Sequence, residues 1–88
     1  MKYAVECAYR TAEMIRETIN PANTYNYIGN TIEADSAEEA IEIAMDYIAE
    51  QANANSDHHA EIEGESVVVY NEDDEIVEEY CSFTAKSI

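Results

Sequence analysis

The sequence predicts an α+β fold: an antiparallel sheet of about four strands with one amphipathic helix, over about residues 37–51, packed on one face. Three observations carry this. Residues 3–9 alternate in the period-two manner of a half-buried strand. A capping box at Ser36 opens a run of apolar residues at three- and four-residue spacing, and two β-rich runs near the C-terminus flank an acidic turn.

In the first strand Tyr3, Val5, Cys7 and Tyr9 share one side and Ala4, Glu6, Ala8 and Arg10 the other. Residues 11–19 admit two readings. Ala12, Ile15 and Ile19 recur at helical spacing behind Thr11 as an N-cap, which favours a short second helix, yet Ile15, Glu17 and Ile19 also alternate as in an extended chain. Asn20-Pro21-Ala22-Asn23 ends whichever forms, because proline restricts the residue before it and asparagine tolerates turn dihedrals.

Residues 25–34, dense in Tyr, Ile and Thr, read as a second strand with Gly29 as a bulge. Ser36-Ala37-Glu38-Glu39 follows. The Ser36 hydroxyl is expected to accept from the Glu39 amide while the Glu39 carboxylate returns to the Ser36 amide. Asp35, Glu38 and Glu39 then lie at the positive end of the helix dipole. Ala37, Ala40, Ile41, Ala44, Met45, Ile48 and Ala52 form the stripe that covers the sheet.

Residues 53–59 read as a polar linker, with His58 and His59 as exposed linker side chains. The runs 60–70 and 76–83 form a hairpin about the acidic turn 71–75, and Gly64 bends its first arm.

At 88 residues there is room for one domain, 1–88, with a thin core. Ten Ile and seven Tyr remove the low-hydrophobicity signature of disorder. No apolar run approaches the roughly 20 residues that span a bilayer, and the N-terminus lacks a signal-peptide core, so a cytoplasmic protein is expected. Cys7 and Cys81 are then expected to stay reduced.

Charge is the strongest functional clue. Twenty acidic residues stand against four basic ones, a net −16. Three of each precede Glu33, so seventeen carboxylates and Lys86 alone share the remaining chain. Such a surface excludes direct binding to nucleic acid or anionic lipid, whose phosphates need Lys and Arg, and favours a basic protein partner. Solubility and adaptation to high salt are the plain alternatives, but either would spread charge along the whole chain.

Glu38, Glu42, Asp46 and Glu50 recur every four residues, about 6 Å per step along one side of the helix. No Lys or Arg lies three or four positions away, so the row costs helix stability that mixed charges would spare. Glu72, Asp73, Asp74, Glu75, Glu78 and Glu79 add a second acidic ridge from the hairpin, and Glu61, Glu63 and Glu65 extend it. Carboxylates at this spacing suit the phosphate-binding channel of a nucleic-acid-binding protein; the bland alternative is a solvated helix face and a soluble turn.

Other chemistries find little support. The 71–75 run lacks the alternating oxygen ligands of a Ca²⁺ loop, and adjacent His58 and His59 have no cysteine near in sequence, so no metal or cofactor is expected. The acids look exposed rather than poised at separated pKa values, and there is no glycine-rich phosphate loop, so a catalytic role is not expected. Tyr25, Tyr27, Tyr47, Tyr70 and Tyr80 are read as sheet packing in preference to a binding surface.

The segment Thr31-Ile32-Glu33-Ala34-Asp35-Ser36-Ala37-Glu38-Glu39-Ala40-Ile41-Glu42 resembles the strand-then-helix signature of the DpnD/PcfM-like family, small proteins of mobile elements in Gram-positive bacteria. The chain departs from that family in residues 20–26 and in its C-terminal hairpin, and no site residue carries over. The resemblance implies a phage or mobile-element setting in which small acidic proteins act as counter-defence factors. The expected function is therefore a non-enzymatic nucleic-acid mimic, an anti-CRISPR or anti-restriction inhibitor of a defence enzyme. A small interaction or scaffold protein, including a homodimer, and an immunity protein or antitoxin against a basic toxin are the alternatives.

Overall fold

The computed structural model describes all of residues 1–88. It is α+β, with seven elements in the order β1 (Lys2–Thr11), α1 (Ala12–Arg16), β2 (Ile32–Glu33), α2 (Ala37–Asn53), β3 (His59–Glu63), β4 (Ser66–Tyr70) and β5 (Ile76–Ser87). The sheet has five strands, not about four, in the order β2-β1-β5-β4-β3, and every pairing is antiparallel. The additional strand arises at Gly64. Instead of bending one arm, Gly64 and Glu65 form a two-residue turn, and Glu63 pairs directly with Ser66. Gly64 takes φ +62, a conformation that a Cβ disfavours even with open space around it.

Residues 11–19 resolve into one helical turn and its exit. Thr11 Oγ1 accepts from the Met14 amide at 3.3 Å, and α1 stops at Arg16, well before Pro21. Its end is a Schellman-type turn: the Ile19 amide donates to the Met14 carbonyl at 2.9 Å and the Thr18 amide to that of Ile15 at 3.3 Å. Thr18 occupies the left-handed position, φ 56, where glycine is usual and a β-branched side chain is strained.

The strand expected over 25–34 forms only at its two ends. Ile32 pairs with Tyr3 and Tyr25 bridges Cys7, so seven steps of this segment cover four of β1 and the surplus loops out. Asn26 nucleates the loop, its Oδ1 accepting from the amides of Ile28 and Gly29 at 3.1 and 3.0 Å. Gly29 supplies the positive φ that the loop then requires.

Ser36 caps α2 as expected, accepting from the Glu39 amide at 3.1 Å. The Glu39 carboxylate, however, reaches the Asp35 amide, not that of Ser36. The helix runs to Asn53, so the polar linker is shorter than 53–59, and His59 belongs to β3 instead. Asn53 Oδ1 accepts from the Ala60 amide at 2.8 Å and ties the helix end to that strand.

Ala40 and Ala44 are wholly buried and let α2 approach the sheet closely; Met45 and Ile48 fill the space beside them. One core cluster joins Tyr3, Val5, Ile32 and Ala34 to the alanines, and a second joins Cys7 and Val67 to Met45 and Ile48. Ile41 and Phe83 touch both, so the two are continuous. Each large apolar side chain so buried contributes roughly 2–3 kcal/mol.

β5 bends twice. Its register against β1 slips between Glu6 and Ala8, where Ser82 takes φ 55, and its register against β4 slips between Val69 and Tyr70.

Candidate partner-binding surface

The inner face of α2 is fixed by its alanines, so the outer face is fixed too. Glu38, Glu42, Asp46 and Glu50 are all exposed, and none has a basic partner. Four-residue steps drift by about 40° around a helix of 3.6 residues per turn, so the row crosses the outer face obliquely. It starts beside the β3–β4 turn, where Glu38 and Glu42 share a cleft of about 290 Å³ with Gly64 and Glu65. It ends near Tyr47. The outer face is not wholly acidic, since Ile43 and Tyr47 are also exposed, one turn apart.

The hairpin acids separate into two groups. Glu72, Asp73, Asp74 and Glu75 are exposed on the β4–β5 turn. That turn is built by Asn71, whose Oδ1 accepts from the amides of Asp73 and Glu75 at 2.9 and 3.0 Å, with Asp74 at φ 61. Glu72 and Asp73 also face Asp57 across a shallow cleft of about 270 Å³. Glu78 and Glu79 are half-buried and engaged. Tyr9 Oη donates to Glu78 Oε2 at 2.7 Å, and Arg10 forms an ion pair with Glu79. The exposed acids thus lie along α2, at the β3–β4 turn by its N-terminus, and at the β4–β5 turn by its C-terminus.

His59 stacks on Tyr70, ring centroids 5.1 Å apart, with Nε2 3.7 Å from Asp74 Oδ1. Nowhere do three or more His, Cys, Asp or Glu side chains converge as metal ligands. No helix is long and apolar enough to cross a membrane.

The sequence did not reveal that the tyrosines gather. Tyr9, Tyr27 and Tyr80 contact one another with centroids 5.1–6.0 Å apart, and Tyr25 meets Tyr27 edge-on. Strand alternation puts Tyr9 on the helix side, but only the looped return of the chain brings Tyr27 over it. Burial, the hydrogen bond to Glu78 and its charge hold the Tyr9 phenol well above its usual pKa. Burial and the same carboxylate push Tyr80 up to about 12. Beside this cluster lies a cleft of about 320 Å³ between the C-terminal half of α2 and the sheet, lined by Tyr27, Tyr47, Ile48, His58, Glu78 and Tyr80 among others.

No family model, curated protein or solved structure matches this chain.

Proposed function

We propose that the protein is a non-enzymatic acidic binding protein that occupies the basic nucleic-acid-binding surface of a partner, as an anti-CRISPR or anti-restriction inhibitor does. The observation that carries this reading is the oblique row of Glu38, Glu42, Asp46 and Glu50, exposed on a helix without one Lys or Arg. Like charges four residues apart destabilise a helix by roughly 0.2–0.5 kcal/mol per pair, and only Glu38, in the first turn, is offset by the helix dipole. The turns at either end, with Glu65 and with Glu72, Asp73, Asp74 and Glu75, lengthen the acidic track. Glu78 and Glu79, half-buried and held by Tyr9 and Arg10, lie outside this exposed track. The likeness of residues 31–42 to DpnD/PcfM-like proteins favours a mobile-element setting and a host defence enzyme as the partner.

Displacement of labelled duplex DNA from candidate restriction and CRISPR effector proteins tests the proposal. The expected result is competitive release that weakens steeply as salt rises, because the attraction is between opposite charges. A ternary complex with bound DNA, or an affinity indifferent to salt, overturns it. A second reading, self-association, draws on the outer edge of β3, which no strand covers, and on exposed Ile62. A salt-resistant dimer in sedimentation would favour that reading.

A further inference from the structure

The cleft under the C-terminal half of α2 differs in kind from the acidic track. About 320 Å³ lies at the small end of the roughly 300–1,000 Å³ range of ligand pockets, room for one side chain more readily than for a cofactor. Tyr27, Tyr47, Tyr80 and His58 supply its aromatic lining, beside aliphatic and amide side chains. Tyr27 and Tyr80 meet at 80° with centroids 5.4 Å apart and form a corner, and Tyr47, on α2, stands across from them. One carboxylate, Glu78, enters the lining, and no Lys or Arg does.

Aromatic faces beside a carboxylate attract organic cations, and a flat guanidinium both stacks on rings and pairs with a carboxylate, which a compact ammonium does less well. Glu78 is oriented for this. Its Oε2 is held by Tyr9 Oη at 2.7 Å, and its half-burial reduces screening by water. At the mouth, Tyr27 and Tyr47 are about two-fifths exposed, and Tyr47 is flanked on α2 by Asp46 and, one turn on, by Glu50. The acidic row therefore ends beside the mouth of the cleft.

We propose that the Tyr27–Tyr47–Tyr80 cleft receives the guanidinium of an arginine side chain presented by the basic protein partner, with Glu78 as its counter-ion. This rests on the acidic-surface reading for the identity of the partner, though not for the chemistry of the pocket. The track supplies long-range attraction, and the cleft supplies register and discrimination between arginine and lysine.

Chemical-shift titration with N-acetyl-arginine amide, with N-acetyl-citrulline amide as the neutral isostere, tests the pocket without any protein partner. The arginine derivative is expected to shift Tyr27, Tyr47, Ile48 and Tyr80 saturably, and the citrulline derivative to bind at least about tenfold more weakly. Tyr47→Ala, at an exposed position that does not threaten the fold, and Glu78→Gln should each weaken arginine about tenfold, whereas Glu61→Gln on the edge strand should not. Equal binding of citrulline, retention of the shifts in both variants, or non-saturating shifts spread over the acidic surface overturns the inference. Failure here, with a salt-sensitive partner complex intact and unaffected by Tyr47→Ala, removes the pocket alone. Saturable binding that survives while no basic partner displaces DNA supports the pocket and removes the acidic-surface reading.

Discussion

Arg10 lies directly opposite Glu79 across the β1–β5 pair, and its Nε donates to Glu79 Oε1 at 2.7 Å while the guanidinium NH2 reaches the same oxygen. This is the one contact in the molecule between an Arg or Lys and a carboxylate. It joins the charge-balanced first third of the chain to its acidic remainder. Both side chains are only one-fifth exposed, so each would be poorly solvated alone.

Arg10→Ala should therefore destabilise the fold by about 1–2 kcal/mol, more than a surface ion pair would, because it leaves a half-buried carboxylate unpaired among many like charges. Glu79→Gln should cost less, since it also removes one negative charge. Urea unfolding of both single variants and the double one measures the difference, and equal costs would contradict it.

The acidic row makes function and stability pull in opposite directions. Glu42→Lys creates favourable four-residue pairs with Glu38 and Asp46 in place of two repulsive ones, a gain of about 0.5–1 kcal/mol. The same change should sharply weaken binding to a basic partner. Thermal denaturation at low and high salt, beside the DNA-displacement assay, reads both effects; a variant less stable than the parent would show that the row has a structural role.

Two backbone positions of like dihedral carry opposite residues. Gly64, at φ +62, has open space around it, so Gly64→Ala should cost about 1–2 kcal/mol through conformation alone. Thr18, at φ 56 and exposed, should respond in reverse: Thr18→Gly is expected to gain a few tenths to about 1 kcal/mol. Melting temperatures of the two variants should move to opposite sides of the parent.

Alkaline pH should loosen the tyrosine cluster. Tyr80 is pushed up to about 12 by burial and by Glu78, whereas in the unfolded chain it ionises near its ordinary value of 10.0. The folded state thus holds its proton more tightly, and the stability linked to it is complete below pH 10 and lost as pH rises from there through 12. Absorbance of tyrosinate should show Tyr9, Tyr27 and Tyr80 ionising late, together with unfolding. Tyr80→Phe should flatten the stability profile in this window.

Those features of the sequence that depend on near neighbours were legible. The alternation of Tyr3, Val5 and Cys7, the cap at Ser36 and the apolar stripe of α2 each rest on residues a few positions apart, and each appears in the fold. The turn at Asn71 was legible for the same reason. The exposure of the acidic row followed from the stripe opposite it.

What was missed depends on partners far along the chain or on single-residue dihedrals. Gly64 reads alike as a bend or as a two-residue turn, and only the pairing of β3 with β4 decides. The composition of 25–34 favours a strand, yet Tyr25 bridges Cys7 and not Arg10, where a continuous register from Tyr3↔Ile32 would place it, and Asn26 diverts the surplus into a loop. Glu78 and Glu79 look like further members of an acidic run until Tyr9 and Arg10 arrive from the other end of the sequence.

The central place of β5 has a consequence for how the molecule comes into being. β1 is synthesised well before β5, yet β5 alone joins the β2–β1 half of the sheet to the β4–β3 half. Before it emerges, each half is a two-stranded ribbon with α2 alone to cover it. The Tyr3↔Ser87 to Thr11↔Glu78 pairing closes a loop of nearly the whole chain, a contact of high sequence separation that slows folding. A chain truncated before β5 should remain sensitive to protease, and protection should appear once β5 is present to pair with β1 and β4.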